Sequence, residues 1–303
     1  MAVSLRVRAI AERERRRRQR TKQDEGIQFP VPQPGAQELF LNTTAEIAVY
    51  GGAAGGGKTF ALLMDTAKEE LIEHPAYNAV IFRRSYPQIM NPGGLWDESA
   101  TMYPLINGSP KQSAVEWSFP SGAKIAFRHL GHETTKYQWQ GSQFPTLCFD
   151  ELTHFSESQF WYMVSRNRSP AGIPTKIRAT TNPDADSWVA DFIDWWIGDD
   201  GFPIPERGGV VRWFVRDGGD TIWADDPDDL LAQYPTQQPK SFTFIPANIQ
   251  DNPILLEKDP TYLGNLQAQH PVERARLLEG NWKARFDSGT VFDKTWFTVI
   301  DPV

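Results

Sequence analysis

Two short stretches of this sequence carry residue types suited to phosphate chemistry. Gly52-Ala53-Ala54-Gly55-Gly56-Gly57-Lys58-Thr59 fits the pattern G-x-x-x-x-G-K-[ST] in full. Glycines at this density let backbone N–H groups turn inward around a phosphate chain. A helix beginning at the lysine adds the partial positive charge of its N-terminus. Lys58 has the reach for the β- and γ-phosphates of ATP, and the Thr59 hydroxyl suits Mg²⁺. The second stretch, Leu147-Cys148-Phe149-Asp150-Glu151, is an apolar run that ends in two carboxylates. An aspartate at such a strand tip holds the Mg²⁺ water shell, and the adjacent glutamate polarises a water against the γ-phosphate. The pair therefore predicts hydrolysis rather than phosphoryl transfer to a metabolite.

A third stretch, Thr180-Thr181-Asn182-Pro183, places polar side chains at the end of another apolar run. Beside a nucleotide these would contact the γ-phosphate or the attacking water and relay hydrolysis to neighbouring elements. Transition-state charge would also call for an arginine, and Arg83, Arg84, Arg128, Arg166 and Arg168 are the candidates. His129, His132 and His154 lack zinc-site spacing. Asp225, Asp226, Asp228 and Asp229 crowd four carboxylates into five residues without the EF-hand pattern, and read as a solvated loop.

These motifs need elements to hold them. An apolar run at Ala45–Tyr50 enters the glycine cluster, and residues 58–73 repeat apolar side chains at helical spacing up to Pro75. Asn78–Phe82, Thr146–Phe149 and Lys176–Thr180 read as buried strands, ending respectively at Arg83-Arg84, at the acidic pair and at Asn182-Pro183. Val115–Phe119 and Ala123–Phe127 flank Pro120-Ser121-Gly122 as a hairpin. Residues 157–164 and Ser187–Ile197 read as helices, Val210–Val215 and Ser241–Ile245 as further strands. Trp195 and Trp196 close the second of those helices, as core or subunit contacts. Residues 199–240 read as a loop-rich insertion, rich in Gly, Pro and Asp. Thr261–Leu278 is helical with a break at Pro271, giving a small helical lid over 251–285. Strands alternating with helices predict an α/β fold with a mainly parallel sheet, here a P-loop ATPase core over 27–250.

With 303 residues, 40% of them apolar, the chain can bury a sizeable core. It holds no apolar run long enough for a membrane helix and no secretory signal pattern, so no membrane partner is expected. One cysteine, Cys148, excludes a disulfide framework and fits a reducing compartment. The net charge of −7 hides a strong asymmetry: residues 1–22 hold nine Lys/Arg against two Glu, which leaves the rest at −14. The basic segment 1–26 reads as a flexible tail able to meet nucleic acid or an acidic protein. The acidic body argues against a broad DNA-coating surface but leaves room for a narrow basic stripe in a ring or channel.

Taken in order, GGAAGGGKT (51–59), IFRRSY (81–86), TLCFDE (146–151) and ATTNP (179–183) resemble the ATPase half of the large terminase subunit of tailed bacteriophages. PGAQELFLN (34–42) resembles that family's adenine-binding segment, which implies that Gln37 reads the adenine edge; Phe29, Phe40 and Tyr86 are the aromatic candidates for packing on the ring. LLEGNW (277–282), followed by Gly289 and Phe292, resembles the junction between ATPase lid and nuclease domain. The resemblance covers residues 30–300 and implies a RecA-like core of the ASCE type. It also implies a motor that moves double-stranded DNA through a portal protein into a procapsid, as a ring of copies, five by expectation, with a small terminase subunit as partner. Its place would be the host cytoplasm, transiently at the portal vertex. By position, Lys58, Thr59, Asp150 and Glu151 bind and hydrolyse Mg·ATP, and Thr180-Thr181-Asn182 couple hydrolysis to movement.

Two departures stand out. Many relatives carry an arginine within the phosphate loop, where this chain has Ala53 and Ala54, and an Arg-Gly about ten residues before the acidic pair, where it has Trp139-Gln140-Gly141. The arginine donor therefore lies elsewhere in the chain. The sequence stops at Val303, where a nuclease domain would be starting, so 286–303 reads as the start of a linker and no nuclease activity is expected. A helicase- or recombination-type ATPase on the same core, and a nucleotide-gated assembly module without motor activity, are the rival readings.

Overall fold

The computed structural model describes residues 29–286. Helix α1 (Ala36–Asn42) precedes strand β1 (Ile47–Gly52), and the glycine loop leads into α2 (Lys58–Thr66) and the one-turn α3 (Glu69–Ile72). Next come β2 (Asn78–Arg83), α4 (Tyr86–Met90), α5 (Leu95–Met102), β3 (Ser109–Lys111), β4 (Glu116–Ser118) and β5 (Lys124–His129). Strand β6 (Thr146–Phe149), α6 (Glu157–Val164), β7 (Lys176–Thr181) and α7 (Trp188–Phe192) follow. The last part holds β8 (Val211–Asp217), β9 (Asp220–Ala224), α8 (Pro227–Gln233) and β10 (Lys240–Ala247), then α9 (Pro253–Lys258), α10 (Thr261–Gln267) and α11 (Pro271–Leu277).

The described strands form one sheet in the order β3-β4-β5-β2-β6-β7-β1-β10-β8-β9. The six central strands, β5 to β10 in that order, run parallel; the hairpins β3-β4 and β8-β9 extend it antiparallel at the two edges. Side chains alternate between two apolar cores, as the period of two in a strand requires. Ala48, Tyr50, Ile81 and Cys148 face one core, while Ile47, Val49, Val80, Phe82, Leu147 and Phe149 face the other. A parallel sheet covered on both faces explains why β1, β2 and β6 are continuous apolar runs.

Three expectations need correction. The helix over 58–73 is two helices: the chain leaves α-helical geometry at Ala67 and Lys68, where buried Asp65 takes salt bridges from Lys68 at 3.0 Å and Lys176 at 2.6 Å. The helix over Ser187–Ile197 ends at Phe192 and continues as a 3₁₀ turn, Asp194–Trp196, which drives Trp196 into the core. The stretch 199–240 is not mainly loop: β8 and β9 turn at Gly218-Gly219, both at positive φ, and widen the sheet. The acidic run there starts α8, with Asp226 accepting from the Asp228 N–H and Asp225 pairing with Arg212.

Pro271 does separate two helices, α10 and α11. The tail over 1–26, Gly289, Phe292 and the expected linker from 287 onward lie outside the described residues. No described helix is long and apolar enough to cross a membrane.

Candidate active site

Parallel strand order makes the site. β1, β6 and β7 end side by side, so the glycine loop after β1, the carboxylates after β6 and the polar tip of β7 open on one edge of the sheet. A cavity of about 780 Å³ there is lined by Ala54–Thr59, Arg83, Glu151 and Asn182, and also by Gln33, Gln37 and Asn252.

The loop takes its shape from glycines that no other residue replaces without strain. Gly57 stands at φ 71°, and a Cβ there would lie 2.2 Å from Gln37 Nε2. Gly52, at φ 145°, would place a Cβ 2.3 Å from the Ala247 carbonyl oxygen. Gly52 and Ala53 form the buried stem of the loop, with the Ala53 N–H donating to Ala247 O at 2.8 Å, rather than the cavity wall. Buried Lys58 folds back: its Nζ donates to Gly52 O (3.2 Å), Ala53 O (2.6 Å) and Asn182 Oδ1 (3.0 Å). Burial pulls its pKa down to about 8, against the opposing pull of Glu151 and Asp150.

Asp150 is fully buried. Its Oδ1 accepts from Thr59 Oγ1 at 3.0 Å and from Thr180 Oγ1 at 2.5 Å, and its Oδ2 forms an ion pair with Arg83 Nε at 2.8 Å. Glu151 sits in the left-handed region at φ 62°, a costly conformation for a residue with a Cβ. Asn182 holds that carboxylate with two donors, its own N–H to Oε2 at 3.1 Å and Nδ2 to Oε1 at 2.9 Å. The Asn182 amide thus stands between Lys58 and Glu151. Thr181 points elsewhere: its hydroxyl bonds Thr153 Oγ1 and Asn182 O.

Thr59 and Asp150 offer hard oxygen donors 3.0 Å apart, the donor type Mg²⁺ takes. Among the described residues no group of three His, Cys, Asp or Glu side chains converges to hold a metal alone. The set fits a Mg²⁺ that arrives with phosphate oxygens.

Of the arginine candidates, Arg83 alone lines the cavity. Arg84 donates to Leu130 O and Gln159 Oε1, and Arg128 to Ala114 O and Val115 O on the sheet edge. Arg166 stacks on Tyr162 near the start of β6, the strand end remote from Asp150, and Arg168 is exposed after α6. Gln37 is buried with its amide spent internally, donating to Gly57 O and accepting from Gln33 N. None of the aromatic candidates lines the cavity. Phe40 is buried against Tyr50, Phe29 packs beside α1–α2, and Tyr86 is exposed against His129. Tyr262 and Leu255 of the lid, with Pro30 and Val31, line it instead.

Sequence reading missed the residues that tie the lid to the loop. Asn252 caps α9, donates to Gly55 O at 2.7 Å and accepts from Gln33 Nε2 at 2.8 Å. The Ala54 N–H donates to Leu277 O, and Arg276 Nε donates to Pro183 O at 3.0 Å. Nothing local in the sequence signals the partners of Asn252, which lie more than 190 residues away.

A family model described as the N-terminal part of the terminase large subunit, T4likevirus type, matches residues 49–299. The chain belongs to this family. Among solved structures, the large terminase of a thermophilic bacteriophage in complex with ATP-γ-S aligns at 14% identity and TM-score 0.50, over 83% of this chain and 53% of that one. The same phage protein in complex with ADP aligns at 13% and 0.53, over 83% of this chain and 54% of that one. The large terminase ATPase domain of a Thermus phage aligns at 14% and 0.50, over 82% of this chain and 93% of that domain. This terminase chain therefore has the RecA-like α/β fold of those domains, and spans about half the length of the nucleotide-bound phage protein. No curated protein matches it. The family match sets aside the helicase reading.

Proposed function

We propose that this chain is a Mg²⁺-dependent ATPase, the motor segment that drives double-stranded DNA through a portal into a procapsid, acting in a ring with the small terminase subunit at the portal vertex in the host cytoplasm. The observation that carries the reading is the convergence of Lys58, Thr59, Glu151 and Asn182 on one cavity, with Asp150 buried against Thr59, in a chain of the terminase family. Lys58 and the N–H groups of residues 55–59 meet the triphosphate and offset its charge. Thr59 and Asp150 would hold Mg²⁺, which neutralises charge on the β- and γ-phosphates. Glu151 releases one oxygen from Asn182 to orient a water in line with the γ-phosphorus and takes up its proton. Asn182, freed on that side and already on Lys58, reports phosphate loss to Pro183, which Arg276 links to the lid. Residues 54–59 and 182 act as the binding and coupling set, with Gly52 and Ala53 as the loop's stem, 251–285 as the lid, and 27–250 as the core.

Glu151→Gln tests the assignment. It keeps the size and removes the base, so ATP binding stays while turnover falls by about 10²–10⁴-fold. Near-normal turnover removes Glu151 from the role. ATP binding by the unaltered chain without turnover, even with DNA and portal present, favours a nucleotide-gated assembly module over a motor.

A further inference from the structure

The Arg83–Asp150 pair has a feature that simple structural pairing does not need. Parallel register sets the two side by side: β2 and β6 pair Phe82 with Phe149, and the Asp150 N–H donates to Phe82 O at 2.9 Å. Both hydroxyl donors to Asp150 go to Oδ1, and Oδ2 has only the Arg83 guanidinium, at 2.8 Å. Arg83 makes no other side-chain hydrogen bond or ion pair among the described residues, whereas its neighbour Arg84 is anchored on Leu130 and Gln159. Arg83 keeps 19% of its side chain exposed and lines the same cavity as Lys58 and Thr59.

We propose that Arg83 is an exchange cation: its guanidinium neutralises the Asp150 carboxylate that a metal needs, so that metal enters only as Arg83 moves to the triphosphate. The inference rests on the cavity being the Mg·ATP site. A divalent cation on Oδ1 beside Thr59 and a guanidinium 2.8 Å from Oδ2 would share one small carboxylate, and the two like charges repel. Removing Arg83 from a fully buried carboxylate is costly unless another cation replaces it. The freed guanidinium, on a three-carbon stem in the cavity wall, finds its counter-charge in the incoming phosphates. Metal and nucleotide then bind with strong positive coupling, and metal alone binds weakly. Arg83 is a positioning residue in this scheme, acting through Asp150.

The test is a titration of the full chain with Mn²⁺ alone, read by electron paramagnetic resonance, beside titrations of a fluorescent ATP analogue with and without Mg²⁺. Arg83→Gln should tighten Mn²⁺ binding in the absence of nucleotide at least tenfold. By reciprocity, the factor by which Mg²⁺ strengthens nucleotide binding should shrink comparably. Arg83→Lys, which keeps charge but loses the planar Nε contact, should fall between. Asp150→Asn in the Arg83→Gln background should abolish the gain. Unchanged or weaker Mn²⁺ binding in folded Arg83→Gln overturns the proposal, as does a gain that survives Asp150→Asn. If Arg83→Gln does not fold, the same readings on Arg83→Lys decide it. Failure of the analogue to bind the unaltered chain sinks the nucleotide reading instead, while the Mn²⁺ arm still reports on Arg83.

Discussion

Lys58 sits among three oxygen acceptors with its pKa down at about 8, so its charge is conditional. In water the same ammonium titrates near 10.5. Triphosphate binding needs the charged form and therefore takes up a proton once the pH passes about 8. Nucleotide affinity should be flat below that pH and fall above it, approaching tenfold per unit. Titrations at pH 7, 8 and 9 check this, and Lys58→Arg, charged throughout, should lose the slope. The same shift has a sign for stability: the unfolded chain binds the extra proton between about 8 and 10.5, so this residue's contribution to stability rises with pH across that window. Motif and spacing picked out Lys58, Thr59 and Glu151, which line the cavity, and Asp150, buried against Thr59, because the backbone geometry they need leaves few residue choices. They did not mark Asp150 as buried beneath Arg83, nor the left-handed backbone at Glu151, since both depend on what neighbouring strands deliver.

At the scale of elements, the glycine loop and the segment α9–α11 form one unit. Gly57→Ala forces a side chain into the left-handed region and onto the Gln37 amide, so it should cost about 1–2 kcal/mol from the backbone alone and weaken nucleotide binding. Denaturant unfolding and a nucleotide titration read the two effects separately. Arg276 ties α11 to Pro183 and also pairs with Glu273 at 3.1 Å. Arg276→Ala should leave nucleotide affinity within about threefold, since the side chain lies outside the cavity lining, yet raise amide hydrogen exchange across 271–282. Unchanged exchange there would deny the tie. The parallel strands β1, β2, β6 and β7 were legible because a strand buried on both faces is an unbroken apolar run. Of the β8-β9 hairpin, β8 was legible as Val210–Val215 but β9 was not, because glycine and aspartate around its turn mask a short, half-buried strand.

For the whole molecule, Trp282 fastens the end of the lid segment to the sheet. It is buried against Phe244 and close to Gly51, and its backbone N–H donates to Gly201 O at 2.8 Å. Trp282→Ala should therefore lower global stability by about 3–5 kcal/mol, measured by denaturant unfolding. A loss below about 1 kcal/mol would mean that the segment is not part of the cooperative core. This contact also accounts for the LLEGNW stretch: Gly280 takes the left-handed turn at φ 76° beside Ala53, and Trp282 then drops into the core. By itself the sequence determined the class of fold and the motifs on which the proposed chemistry rests, because a phosphate loop, an acidic strand tip and apolar strands are each set by residues adjacent in the chain. Only the tertiary structure decided which arginine meets Asp150, that Gln37 braces the loop, and that Asn252 and Arg276 bind the lid to the site. Those contacts join residues far apart in sequence, and strand order and register, rather than local propensity, bring them within hydrogen-bonding distance.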